Sequence, residues 1–379
     1  MTSVHIDLRA AELLKFRLLA EGLRIAPAAQ EYLDSGNGGR PLTPADYAST
    51  SGLILALDDD VWVNAPYIEH NPNFVGDSCF ELTLGERGLE VRGDGLESNA
   101  RFWMPPAYHG TVNAQGEAYN SYCFTHADRV RISPIAGCAM TCKFCDLPYE
   151  YRYTTKRIEG LLDSVRQARA DLVQPASHVL ISGGTPRSAD IGYVRDVYEA
   201  TLLGFPDMAV DIMMVPVDGL LDVPQLHALG VNELSINIEI YNREIAKKVM
   251  RRKYDQGLHT YLDFIEKAGE TLGRARVRSM LMVGCEPLDD TIRGVKAIAE
   301  RGGVPVLSPF RPDPSTPMRD VPPPDAAMLQ EAYLRAYDIC VAFDVPLGPS
   351  CIPCSHNTLT FARSGVGDAH RFYGPVNLI

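Results

Sequence analysis

Three cysteines, Cys138, Cys142 and Cys145, stand within eight residues of the chain in the spacing C-x3-C-x2-C. Thiolates are soft ligands that suit zinc and iron–sulfur clusters. Three thiolates leave one position of a tetrahedral ion, or one iron of a four-iron cluster, without a protein ligand. An open position of this kind is where a metal site binds another molecule. On spacing alone, a zinc knuckle or three buried structural cysteines remain the alternatives.

Around this loop, apolar strand patterns alternate with helical patterns. Strands are predicted at 130–132, 178–182, 209–215, 233–238, 277–283 and 304–307, and helices at 157–173, 189–203, 222–229, 241–272, 289–301 and 325–343. Six strand–helix units favour a parallel sheet with helices outside it. Right-handed crossovers would curl that sheet into an open barrel. The sequence therefore predicts an α/β fold, a partial (βα)6 TIM-type barrel.

The first part of the chain has a different pattern. Residues 5–35 are predicted to be helical, and residues 52–66 and 79–103 alternate apolar and polar side chains as strands do. We therefore expect three regions. These are an N-terminal α+β accessory domain at 1–125, the barrel core at 126–311, and a C-terminal helix with a cysteine-containing tail over the barrel mouth at 312–379.

Composition and charge narrow the functional classes. The 379 residues contain no apolar run long enough for a transmembrane helix and no signal-peptide pattern. Nine cysteines, an odd number, fit reduced thiols in the cytoplasm better than a disulfide framework. The net charge of −12 argues against a nucleic-acid partner, because phosphate contacts need a basic surface.

Active residues of parallel barrels lie at the carboxyl ends of the strands. The second predicted strand ends in Gly183-Gly184-Thr185-Pro186, where two glycines allow close approach to the backbone. On the fourth strand, alternation predicts one polar face and one apolar face. The polar face is Ser235, Asn237 and Glu239, and the apolar face is Leu234, Ile236, Ile238 and Ile240.

The cysteine spacing resembles that of the radical S-adenosylmethionine (SAM) superfamily, and Phe144 matches the aromatic residue that usually precedes the third cysteine. Residues 183–186 resemble the GGE-type motif of that family, with Thr185 in place of the acidic residue. The pair Asn237 and Glu239 resembles the N-x-E strand of the biotin and lipoyl synthases.

A further resemblance lies on the fifth predicted strand. Gly284 and Glu286 partly match the GxIxGxxE stretch of the family, without its first glycine. Arg278 lies low in the same strand, where we expect it to pair with Glu239. The branch with the most similar motifs contains biotin synthase, lipoyl synthase and the hydrogenase maturases.

The resemblance implies a [4Fe–4S] cluster on Cys138, Cys142 and Cys145, with SAM on the fourth iron. It also implies SAM contacts from a set of residues on the barrel strands and loops: Phe144, Gly183, Gly184, Thr185, Pro186, Ser235, Asn237, Glu239, Arg278 and Gly284. The implied activity is reductive cleavage of SAM and hydrogen abstraction from a substrate, with electrons from a donor such as flavodoxin or ferredoxin. The acidic charge and the single barrel favour a small molecule, a specialised metabolite, as the substrate. Cleavage of another C–S bond of SAM with group transfer, or a non-catalytic iron–sulfur scaffold or carrier, are the alternatives.

The tail contains a second cysteine pair, Cys351 and Cys354. The C-x2-C spacing suits a metal, an iron–sulfur cluster or a redox pair. If residues 345–347 run beside the sixth strand, the pair reaches the barrel mouth. There the two thiols are candidates for a second metal or iron–sulfur site or for catalytic hydrogen-atom donors, with a purely structural role as the alternative.

Overall fold

This computed structural model describes residues 6–37, 39, 41–42, 52–67, 77–365 and 370–379. Within these residues the strands are, in chain order, β1 (Arg24–Ile25), β2 (Gly52–Leu57), β3 (Val61–Pro66), β4 (Glu81–Gly85), β5 (Gly88–Gly93), β6 (Leu96–Phe102), β7 (Cys123–His126), β8 (Arg129–Ile132), β9 (Ile135–Ala136), β10 (Thr154–Thr155), β11 (His178–Ile181), β12 (Ala209–Met213), β13 (Glu233–Ser235), β14 (Val277–Val283) and β15 (Val304–Pro309).

The helices of the described residues follow the strands in the expected alternation. They are α1 (Ala10–Glu21), α2 (Pro27–Gly36), α3 (Leu147–Glu150), α4 (Ile158–Arg169), α5 (Ile191–Gly204), α6 (Val223–Ala228), α7 (Arg243–Val249), α8 (Arg251–Gln256), α9 (Leu258–Leu272), α10 (Leu288–Ala299) and α11 (Ala326–Ala342).

The main sheet has seven strands in the order β15-β14-β13-β12-β11-β8-β7. Its six strands from β8 to β15 are parallel, and β7 adds an antiparallel edge on β8. Sheet curvature makes this a half-barrel of the TIM type, which confirms the predicted fold class. The six strand predictions agree with the observed strands to within a few residues.

The two faces of the parallel strands differ in chemistry. One face packs against the helices through side chains such as Val130, Val179 and Ile212, which share a fully buried core with Leu161 and Val197. The opposite face lines the inside of the half-barrel. Its residues near the amino ends of the strands are polar: Arg129, His178, Asp211, Glu233 and Arg278. Near the amino ends of the strands, the interior of the half-barrel is therefore polar and charged rather than apolar.

The N-terminal part forms a six-stranded sheet in the order β1-β4-β5-β6-β2-β3, on which α1 packs. Where the sequence predicted one helix over 5–35, the structure has two, separated by β1; residue 5 lies outside the described residues. The first helix ends because Gly22 adopts a φ of 66°, and Pro27 begins the second. None of the helices in the described parts of the chain combines the length and apolar character of a membrane-spanning segment.

After α11 the tail returns to the edge strand of the barrel. The Gly348 N–H donates to the Pro305 carbonyl at 2.9 Å, near the amino end of β15. The Leu359 N–H donates to the Leu307 carbonyl at 2.8 Å. Between these two contacts the tail crosses the interior of the half-barrel. The buried ammonium of Lys15 holds it there through the carbonyls of Ser355 and Thr360, at 2.9 and 2.7 Å.

Candidate active site

The first cysteine is held by the loop that follows the second barrel strand. The Cys138 Sγ atom accepts N–H groups from Met140 at 3.3 Å and from Thr185 at 3.2 Å. The Ala139 N–H donates to the Thr185 carbonyl at 2.9 Å. Thr185 therefore contacts the cysteine loop through its backbone, so that threonine can stand at this position without loss of the contact.

The two glycines before Thr185 also allow this loop to pack closely against the residues that follow β8. A Cβ atom on Gly184 would lie 1.7 Å from the Gly137 carbonyl oxygen, and one on Gly183 would lie 3.2 Å from Ser133 Cβ. Gly183 also has a φ of 146°, which side chains rarely adopt. The structure therefore explains both glycines by the packing of two protein loops, where the sequence interpretation invoked close approach of a ligand.

Cys142 and Cys145 lie in a mostly apolar group at the carboxyl ends of the strands. Their neighbours include Ile240, Met250 and Met282, with Phe144 at the edge of the group. Burial, reinforced by the negative charge of Glu239, raises the pKa of Cys142 to about 12. Because ligation requires thiolates, loading a metal here would release protons.

Glu239 is fixed beside these cysteines by a buried lysine. Lys253 Nζ lies 2.8 Å from Glu239 Oε2 and 2.9 Å from the Asn237 carbonyl oxygen. The Glu239 backbone has a φ of 66°, and it bonds to β14 through the Met280 carbonyl and the Met282 N–H. Asn237 Oδ1 accepts from Ser235 Oγ at 2.9 Å and from the Met280 N–H at 3.2 Å. Ser235, Asn237 and Glu239, the three predicted polar residues, therefore belong to one hydrogen-bonded network that also includes Lys253.

The apolar face predicted for the same segment is correct only in part. Leu234, Ile236 and Ile238 pack with the helices, but Ile240 packs beside Cys142. The positive φ of Glu239 interrupts the strand alternation, so Ile240 points to the cysteine side. The regular strand β13 already ends at Ser235.

Arg278 on β14 and Glu286 after it, both singled out in the sequence, interact with other protein residues. Arg278 pairs with Asp211 at 3.1 Å and with Glu233, near the amino ends of the strands, and not with Glu239 as expected. Glu286 accepts the Asn242 N–H at 2.6 Å. Gly284 has a φ of 100°, and a Cβ there would lie 2.8 Å from Pro324 Cδ. The structure thus places Arg278 in a lower layer, away from the cysteine loop.

Cys351 and Cys354 do not reach the barrel mouth. Cys351 Sγ lies 3.2 Å from Asp128 Oδ1, and Cys354 Sγ lies 3.5 Å from His178 Nε2. Asp128 precedes β8 and His178 opens β11, so both mark the amino ends of the strands. The prediction was wrong because the tail turns inward after pairing with the start of β15 at Pro305. The length of β8 alone, about 13 Å, separates this layer from the loop that carries Cys138.

Sequence reasoning missed Lys253, Asp128 and His178. Lys253 belongs to a basic run over residues 243–253, which is equally compatible with a solvated helix face. His178, a histidine at the first position of an apolar strand, was the one sequence signal that could have indicated a polar group at the amino ends of the strands. Its partner Cys354 is 176 residues away in sequence, and no local pattern connects the two.

The donor set at the carboxyl ends fits a cluster with three protein ligands. Three thiols lie on one loop, and two backbone N–H groups point at the sulfur of Cys138. Hydrogen bonds of this kind to sulfur stabilise a metal-bound thiolate. The Glu239 carboxylate lies close enough to influence Cys142 and Cys145 electrostatically.

Residues 132–297 match the family model of the radical SAM superfamily. Within these residues the chain carries a radical SAM domain, and this domain marks the protein as an enzyme. A curated relative, the bacteriochlorophyllide c C-7(1)-hydroxylase of Chlorobaculum limnaeum, is 24% identical over 204 residues, which are 52% of this chain and 47% of the relative. The chain thus matches about half the length of that relative.

Solved structures with a similar fold have low sequence identity. The FeFe-hydrogenase maturase HydG of Carboxydothermus hydrogenoformans is 15% identical, with a TM-score of 0.42 and coverage of 60% of this chain and 52% of that one. A radical SAM methyltransferase of Sphaerobacter thermophilus is 14% identical, with a TM-score of 0.44 and coverage of 69% and 73%. Likeness at this level says nothing about what this chain binds.

Proposed function

We propose that this enzyme holds a [4Fe–4S] cluster on Cys138, Cys142 and Cys145 and binds SAM at the remaining iron. When bound, the cluster would supply the electron for reductive cleavage of SAM, which starts a radical reaction on a small molecule. A one-electron donor such as flavodoxin or ferredoxin would reduce it. The chain's own residues bind and orient SAM and keep water out.

The observation that carries this proposal is the position of Glu239. Its carboxylate stands beside Cys142 and Cys145, and Lys253 occupies only its Oε2 atom. Among the described residues, Oε1 takes no hydrogen bond, so it is available to the ammonium group of SAM. An iron–sulfur carrier has no use for a half-buried carboxylate on a residue in the left-handed conformation next to its cluster.

The substrate we propose carries an acidic group. Arg129 and Arg131 project from β8 into the half-barrel, on the side opposite Val130 and Ile132. Both are half-buried, and within the part of the chain that the structure describes neither makes an ion pair or a side-chain hydrogen bond. Burial and the charge of Arg129 lower the pKa of Arg131, and Cys145 lies within its electrostatic reach. A carboxylate or phosphate would neutralise the Arg131 guanidinium group, whereas Arg129 lies at the amino end of β8, near Cys351 and Cys354.

Thermal unfolding tests this substrate class. Wild-type protein should be stabilised by members of a panel of small carboxylates and phosphates, and Arg131→Gln should lose that response. Arg152→Gln, on the exposed surface, is the matched control and should respond as the wild type does. An equal response of all three proteins would remove Arg131 from the substrate site.

Product analysis after anaerobic reduction tests the activity itself. We expect reduced enzyme with SAM to release 5′-deoxyadenosine and methionine. Cleavage products from another C–S bond of SAM would instead establish the group-transfer alternative. Iron-loaded protein that leaves SAM intact would establish the carrier alternative. The similar hydroxylase of Chlorobaculum limnaeum is named for a reaction at carbon, and hydrogen abstraction from carbon is the step proposed here.

A further inference from the structure

Four potential metal ligands converge at the amino ends of the barrel strands. They are Asp128, His178, Cys351 and Cys354, all buried, and one ligand atom from each lies within 4.8 Å of every other. Asp128 directly precedes β8, His178 opens β11, and the two cysteines come from the tail. This lower layer is separate from the loop that carries Cys138, and the proposed radical chemistry does not use it.

Four of the six distances between the ligand atoms are close to those around one tetrahedral ion. His178 Nε2 lies 3.2 Å from Asp128 Oδ1 and 3.5 Å from Cys354 Sγ. Asp128 Oδ1 lies 3.2 Å from Cys351 Sγ and 3.6 Å from Cys354 Sγ. Zinc bonds of 2.0–2.3 Å in a tetrahedron hold such ligand atoms about 3.3–3.8 Å apart. A multi-iron cluster distributes its ligands over several metal atoms and needs a wider arrangement.

The backbone around the two cysteines also has the form of a metal-binding turn. The Cys354 N–H donates to Cys351 Sγ at 3.3 Å, which directs both sulfurs to the same side of the turn. The ring of His178 stacks on Tyr373 of the tail, with centroids 4.2 Å apart and planes at 14°. The orientation of the histidine is therefore fixed without the metal.

Burial argues against the other uses of such a group. Cys351 is 3% exposed and Cys354 is 2% exposed, so a substrate cannot reach either thiol as a nucleophile. Asp128 Oδ2 is buried and has no hydrogen-bond partner in the described residues. The His178 ring pairs with the other oxygen, Oδ1, so Oδ2 is the atom of this carboxylate that a bound cation would satisfy.

We propose that Asp128, His178, Cys351 and Cys354 bind a single zinc ion that fastens the tail inside the lower half-barrel. The donor set of two sulfurs, one nitrogen and one oxygen suits zinc. All four positions of the ion are filled by protein, so its role is structural. Because zinc binds thiolates and neutral imidazole, its binding would release protons from this group.

Metal analysis of the full chain tests the zinc site in a variant that lacks the three cysteines of the proposed cluster site. In the variant with Ala at positions 138, 142 and 145, we expect about one tightly bound zinc per chain. Adding Cys354→Ser should remove most of that zinc, and adding Cys340→Ser should not. Cys340 is a suitable control because it is buried in α11 and its thiol lies outside the ligand group.

Cobalt exchange on the same background keeps the test decisive if Cys354→Ser fails to fold. Chelation followed by Co²⁺ should give the strong visible absorption of tetrahedral cobalt and a thiolate-to-cobalt charge-transfer band. Removal of the metal should also lower the unfolding temperature. Zinc content that Cys354→Ser leaves unchanged, iron in place of zinc, or cobalt without thiolate ligation would each overturn the proposal.

Discussion

Lys253 Nζ lies 2.8 Å from Glu239 Oε2, and this ion pair links the helix after the fourth strand to the residue beside Cys142. Lys253 is 5% exposed, and its second bond, to the Asn237 carbonyl oxygen, ties the same group to the strand. The pair holds the backbone of Glu239 in its left-handed conformation. A carboxylate is thereby positioned before any ligand arrives.

Glu239→Gln should weaken SAM binding by about tenfold or more, because a hydrogen bond to a charged group contributes about 1.5–3 kcal/mol. Iron content should stay at the wild-type level. Equilibrium binding of SAM to the reconstituted protein measures the effect. Glu244→Gln, on the exposed face of α7, is the control and should bind SAM normally. Unchanged SAM affinity in Glu239→Gln would move this carboxylate to the substrate side of the site.

Gly184→Ala should reduce both iron loading and stability. Its Cβ atom would lie 1.7 Å from the Gly137 carbonyl, so the two loops that meet at Cys138 must separate. Overpacking costs about 1–3 kcal/mol and more where backbone must move. Iron analysis and thermal unfolding measure the loss.

The control for this change is Gly192→Ala in α5. No atom lies within 4 Å of a Cβ atom built there, and alanine favours a helix over glycine. This variant should therefore keep its iron and unfold at the same temperature or higher. If Gly184→Ala loads iron as well as Gly192→Ala does, the contact between the two loops is not required for the cluster.

Arg278→Met should destabilise the fold without changing SAM binding. The guanidinium is buried with Asp211 and Glu233, and removal of one partner of a buried ion pair costs about 3–5 kcal/mol. Urea unfolding measures this cost. Arg251→Met removes an exposed pair with Asp255 and should cost only about 0–1 kcal/mol. A selective loss of SAM affinity in Arg278→Met would restore the cofactor role predicted from the sequence.

The barrel could be predicted because its signal is local. Each strand is an apolar run followed by an amphipathic helix, and β8, β11 and β14 lie where the runs lie. The cysteine loop was equally accessible, since all three thiols lie within eight residues.

The environment of Ile240 was not predictable by alternation, because the positive φ of Glu239 depends on distant groups. Bonds to Met280 and Met282 and the Lys253 pair fix that conformation. The path of the tail was not predictable for the same reason, because it also depends on residues that are distant in sequence. It depends on Lys15, whose bonds to the tail cross 340 and 345 residues of sequence, and on the start of β15.

The EPR spectrum of the reduced, anaerobically reconstituted protein, with and without SAM, tests the central claim most directly. We predict a [4Fe–4S] signal that SAM alters, because SAM would ligate the iron that Cys138, Cys142 and Cys145 leave open. The signal should disappear when all three are changed to Ala, and it should persist in Cys340→Ser. A SAM-responsive signal that survives the triple substitution, or a wild-type signal that SAM never alters, would contradict the account.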